Sequence, residues 1–180
     1  MTTKEVVERA VLSNAALAAE LERLGIAFLQ SSTEDRLQEP IPPDALLAAL
    51  AASNEARVRM ALIPLFLAHP EFANTSIEIV TCLPDQDRIT LICYYTAAML
   101  YQREYARPQA DLEISQVELP NLYGHDLGLP ASGDTNLLLL KLAERHAELS
   151  GRPLNWYGTY EHAVRHYIRR VQRESAWATT

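Results

Sequence analysis

Ile89-Thr90-Leu91-Ile92-Cys93-Tyr94-Tyr95-Thr96-Ala97-Ala98-Met99-Leu100-Tyr101 is the stretch that decides the fold. Only Thr90 and Thr96 interrupt its apolar run, so a helix built on it has no polar side and belongs in the middle of a domain. Its flanks extend the predicted helix from Asp87 to Tyr105, with Pro84 and Asp85 as the joint before it.

Upstream, Val58 to Ala68 is apolar apart from Arg59, which makes Glu55 to Ala68 the natural partner of that central helix. Pro64 lacks the N–H of one intrahelical bond and predicts a bend one turn upstream. Asn54 is placed to cap this helix, Pro43 fits the first turn of another that runs to Ala52, and His69-Pro70 ends the pair. A further helix is expected from Glu71 to Leu83.

The N-terminal helix has a capping box in Thr2-Thr3-Lys4-Glu5 and an expected end near Leu24. Val7, Ala10, Asn14, Leu17, Leu21, Leu24 and Phe28 recur on it at a 3-4 spacing, a seam that fits either its own core or a second copy of the chain. Gly25 and the proline-rich stretch from Gln30 to Pro43 follow, so residues 1–29 are expected to be able to move as an arm.

Downstream of the central run, residues 107–133 lose all periodicity, with prolines at 108, 120 and 130 and glycines at 124, 128 and 133. Long irregular segments inside domains are often functional. Asp134 then caps a helix that runs through Leu149 to a left-handed Gly151, and the last helix is expected from Thr159 to Ala176. The expectation for residues 1–180 is a single all-α domain, a compact bundle of about seven helices.

Composition narrows the function classes. At 48% apolar and 22% charged the chain can build a real core, and its formal charge of −7 argues against nucleic acid or anionic lipid as a bulk partner. Residues 1 to 9 carry no apolar signal core and no stretch reaches the roughly 18 apolar residues of a membrane span, so the expected compartment is the cytoplasm. Cys82 and Cys93 have neither zinc-knuckle nor CxxC spacing and each sits in an apolar run, so both are expected to be buried thiols.

Asn54-Glu55-Ala56-Arg57-Val58-Arg59-Met60-Ala61 resembles the second helix of a HEAT repeat, although a solenoid needs several such units and no second copy follows. Ala61 to Ala73 and Tyr94 to Tyr105 also look like stretches of small, uncharacterised all-helical bacterial proteins. That likeness carries no catalytic motif, and it implies partner binding at most.

The clearest chemical pattern lies in the last helix. Tyr160, Val164, Tyr167 and Val171 fall in one sector, while His162, Arg165, His166, Arg169, Arg170 and Arg173 fall on the other side. Five arginines against two glutamates leave the last thirty residues at +3 and the rest of the chain at −10. Arg165, Arg169, Arg170 and Arg173 are therefore candidates for docking an acidic protein partner, with a solvated face as the plain alternative and phosphate or nucleic-acid contact as another.

His162 and His166 have the i, i+4 spacing of two imidazoles on one metal, with His125, Asp126 or His146 as conceivable third ligands, but the glutamate of HExxH is missing and arginines flank the pair. Tyr123, Trp156, Tyr157 and Tyr160, with Arg152 or Asn155 as a polar anchor, form a candidate pocket between the 120–130 loop and the last helix; packing at helix joints is the commoner explanation of aromatic residues there. No nucleophile elbow, phosphate loop or dinucleotide fingerprint is present, so no catalytic residue and no cofactor is assigned. The reading is a non-catalytic module that binds a protein partner or itself through the N-terminal seam and the basic face.

Overall fold

A computed structural model describes residues 12–26, 39–105 and 117–178. Within these residues the chain is all-helical: α1 Asn14–Arg23, α2 Pro43–Ala52, α3 Ala56–Met60, α4 Leu62–Ala68, α5 Phe72–Ile79, α6 Asp85–Tyr105, α7 Thr135–Ser150 and α8 Trp156–Ala178. Since α3 and α4 are two pieces of one broken helix, the bundle has the expected seven. The break falls at Ala61, one turn before Pro64, because proline cannot donate to the carbonyl of Met60. Ala61 N–H reaches back to Val58 O instead (3.1 Å), tightening the turn at the joint.

The predicted central helix is the hub. α6 packs against α2, α4 and α7, and Leu91 and Cys93 to Gln102 along it are all buried. Its neighbouring tyrosines point to different sides. Tyr94 meets His146 of α7 and Tyr160 of α8, whereas Tyr95 packs edge-on to Phe66 of α4 and to Tyr123. The helix begins at Asp85, two residues earlier than expected, because Pro84 O already accepts from Arg88 N–H (2.9 Å).

The start of α1 corrects the expectation of an uninterrupted first helix from Thr3 to Leu24. Leu12 and Ser13 are not helical, and the Ser13 hydroxyl accepts from Ala16 N–H (3.1 Å), so Ser13 caps a new helix. Leu17 and Leu21, two of the seven expected seam residues, lie in the common core with Ile26, and Asn14 donates to Glu55 (2.6 Å). Val7, Ala10 and Phe28 lie outside the described residues, as do the Thr2 capping box and residues 27–38. The end of α1 is pinned as well, since His69 Nε2 donates to Leu24 O (2.8 Å) and Gly25 turns the chain at φ 75°.

The described part of the irregular region, 117–133, is tied to the hub. Gln102 donates to Val117 O (2.9 Å) and accepts from Leu119 N–H (2.7 Å), and the Tyr95 hydroxyl donates to Pro120 O (2.9 Å). Asp134 and Gly151 bracket α7 as expected, the first accepting from Leu137 N–H (2.9 Å) and the second at φ 64°. Asn54 does not cap α3; it is exposed, and Glu55 holds the cap position. Cys93 is buried but Cys82, expected to be buried too, is half-exposed at the frayed end of α5. Among the described residues no helix is long and apolar enough to cross a membrane.

Candidate functional site

The last helix starts at Trp156, three residues before the expected Thr159, because Asn155 caps it. Its Oδ1 accepts from Gly158 N–H (2.9 Å) and its carbonyl from Thr159 N–H (3.0 Å). The available signal is an asparagine three residues before the N–H it accepts from, beside an aromatic run that reads as a turn. Asn155 is thus occupied at a helix end.

The inner side of α8 completes an aromatic layer. Trp156 stacks on His146, with centroids 3.6 Å apart and planes 17° from parallel, and its indole N–H donates to Arg152 O (3.1 Å). His146 Nδ1 shares a hydrogen bond of 2.6 Å with the Tyr160 hydroxyl. Burial, then Arg59 and Arg152, hold the His146 imidazole down at about 3, so it is neutral at ordinary pH. Burial likewise pushes the Tyr94 phenol up to about 12 and raises the Cys93 thiol beyond thiolate chemistry. This layer is filled.

The candidate pocket residues consequently separate. Trp156 and Tyr160 join His146 and Tyr94, Tyr123 bonds Ser76 (2.8 Å) against Tyr95, and Arg152 is exposed. Tyr157, half-buried, lies beside Tyr101 and Tyr105.

The outer side of α8 is different in kind. A groove of about 910 Å³ is lined by Gly158, Glu161, His162, Arg165, His166, Arg169, Gln172 and Arg173. One carboxylate is among them, and it is engaged: Glu161 Oε1 lies 2.7 Å from the Arg165 guanidinium one turn on. His162, Arg165, His166, Arg169 and Arg173 are exposed, while Arg170, assigned to the same face from the sequence, is half-buried at its margin. Arg173 donates back to Arg169 O (3.3 Å), which lays its side chain along the helix.

A second helix adds to this charge. Arg57 of α3 acts on His166, whose pKa is lowered by partial burial first and then by His162, Arg173, Arg57 and Arg170. Arg57 was not among the expected site residues. Arg57 and Arg59 are two positions apart, so a helix turns them to nearly opposite sides: Arg59 goes inward and donates to Ser53 O (2.5 Å), and Arg57 goes out. That alternation was the available signal.

The conceivable metal ligands do not converge. Among the described residues no three of histidine, cysteine, aspartate and glutamate stand together. His146 is sealed in the aromatic layer, and the exposed His125 faces Asp126 at 3.5 Å.

Comparison of the chain with protein-family models, with curated proteins and with solved structures finds no match. The geometry of α8 is therefore what a functional reading has to stand on.

Proposed function

We propose that the protein is a non-catalytic interaction module that captures an acidic protein segment along the outer face of α8. One observation carries the reading: among the described residues, a groove lined by three arginines and two histidines whose one carboxylate, Glu161, is paired with Arg165, on a chain of net charge −7. Guanidinium groups match carboxylates as two-pronged donors, and a row of them on a packed helix is held ready for such a partner. Arg165, Arg169 and Arg173 rise along the helix in steps of about 6 Å, the spacing at which an extended or helical acidic segment can present successive carboxylates. Leu17 and Leu21 of the N-terminal seam are spent on the core, so the reading stands on the outer face of α8.

The test is fluorescence anisotropy with a labelled ten-residue polyaspartate peptide. Binding in the micromolar range at low salt, weakened at least tenfold by combining Arg165→Glu, Arg169→Glu and Arg173→Glu, is expected. Equal affinity of wild type and the triple variant would overturn the reading. Tighter binding to a DNA duplex than to the peptide, with affinity falling steeply in salt, would replace it by nucleic-acid contact.

A further inference from the structure

The aromatic layer under α8 is walled by rings, and one permanent charge enters it. Arg59 of α3 is 8% exposed, and among the described residues its guanidinium has a single acceptor within hydrogen-bond length, the Ser53 carbonyl (2.5 Å), and no carboxylate partner. A guanidinium has five N–H donors and does not give up its proton, so its burial cannot be answered by neutralisation as that of His146 is. A second polar group at the same place is also unanswered. Tyr94 is fully buried, and its hydroxyl has no hydrogen-bond partner among the described residues. The rings it meets edge-on, His146 (5.9 Å) and Tyr160 (5.5 Å), are bonded to each other. The Arg59 charge acts on both the Tyr94 phenol and the His146 imidazole, and Arg152 acts on His146 as well. Arg152 stands at the rim, its side chain exposed and its carbonyl held by the indole of Trp156, which stacks on His146.

Two arginines thus converge on one edge of the layer, beside a buried hydroxyl with nothing to bond. What would satisfy all of them is an anion. We propose that this edge is a binding site for one small oxyanion, a carboxylate or phosphate group, held by the Arg59 guanidinium, with the Tyr94 hydroxyl donating to it and Arg152 at its mouth. The paired N–H groups of a guanidinium match two oxygens of either group, and away from water such a charge-assisted bond is at its strongest. The Tyr94 phenol, pushed up to about 12 by burial, keeps its proton and serves as a donor. With Tyr94 and His146 at most 1% exposed, the site admits the anionic group alone, and the rest of any larger ligand lies on the side of Arg152. None of these residues lines the outer groove of α8, so the site is separate from the docking face.

The experiment titrates inorganic phosphate, and separately acetate, into the full chain by isothermal calorimetry at fixed pH and ionic strength. The proteins are wild type, Arg59→Met, Tyr94→Phe and the triple reversal of Arg165, Arg169 and Arg173 to glutamate. One anion per chain is expected to bind wild type and the triple variant alike. Arg59→Met is expected to abolish the heat, and Tyr94→Phe to weaken binding about tenfold, the loss of one hydrogen bond to a charged group. Binding of phosphate alone, of acetate alone or of both supports the site and assigns the group it takes. Absence of binding by both anions would overturn the proposal, as would binding unchanged in Arg59→Met or lost in the triple variant, which would put the anion on the outer face. Urea melts check that each variant is folded. Tyr94→Phe keeps the ring and removes only the hydroxyl, so it decides the matter even where Arg59→Met does not fold: wild-type affinity in that variant would overturn the site.

Discussion

The two faces of α8 share one backbone and nothing else. Inward, Tyr160, Ala163, Val164, Tyr167, Ile168 and Val171 are each at most 7% exposed and close the aromatic layer against α6 and α7. Outward, histidines and arginines stand over a groove. On the inner side the Tyr160 hydroxyl and the Trp156 indole N–H have fixed partners, while the described ionisable groups outside are arranged with a surplus of one sign. The contrast teaches where energy and function reside: stability is concentrated on one side of the helix, and specificity is left to the other.

The sharpest way to break that contrast is Tyr160→Ala. It removes a fully buried ring from between Tyr94 and His146 and leaves the His146 Nδ1 without its partner, so a loss of about 4 kcal/mol in urea unfolding is expected. A loss below about 1 kcal/mol would mean that the layer is not the seat of stability.

The same layer predicts an acid limit. His146 is held at about 3 in the folded chain against an ordinary value near 6.5, so between these values the unfolded chain binds a proton that the folded chain refuses. Stability therefore falls as pH drops through this window and levels off below it. Between pH 7 and pH 4 the single group accounts for about 3 kcal/mol. Urea titrations of wild type and His146→Gln at both values check this, the variant losing that part of the dependence; parallel pH profiles would show that His146 is not the group responsible.

The inner face was readable from the sequence because burial imposes a period. The run from Ile89 to Tyr101 had to be central, Pro64 had to break its partner one turn earlier, and Tyr160, Val164, Tyr167 and Val171 had to face inward. What escaped were features that a period does not encode. Ser13 and Asn155 cap helices through a single side-chain hydrogen bond each, a signal that many serines and asparagines carry without using it. Arg57 joins the basic face only because α3 lies against α8, a relation between segments about a hundred residues apart. Tyr123 and Trp156 were grouped because both adjoin irregular segments, yet consecutive tyrosines on α6 send them into separate layers.

Gly151→Ala is a smaller test, at the point where the chain leaves α7 to begin α8. The residue sits at φ 64° with no atom within 4 Å of an added Cβ, so the cost is purely that of placing an L side chain in left-handed backbone. About 1 kcal/mol is expected, with the pH dependence and the peptide binding unchanged. A larger loss would show that the turn also sets how the aromatic layer closes.

The smallest expected effect is the most informative about the outer face. Replacing Arg169 by glutamine removes a cation from a side chain whose surroundings on α8 are dominated by other cations, so its deletion relieves repulsion as readily as it loses contact. Folding stability is expected to stay within about 0.5 kcal/mol of wild type, in either direction. Arg165→Gln breaks the pair with Glu161, which is worth roughly 0.3 to 0.5 kcal/mol at such exposure. A face shaped by stability alone would punish both substitutions and gain nothing from crowding like charges. A face shaped for an acidic partner tolerates them in unfolding experiments and registers them in binding, and that divergence between two measurements on one variant is what separates a docking surface from a solvated one.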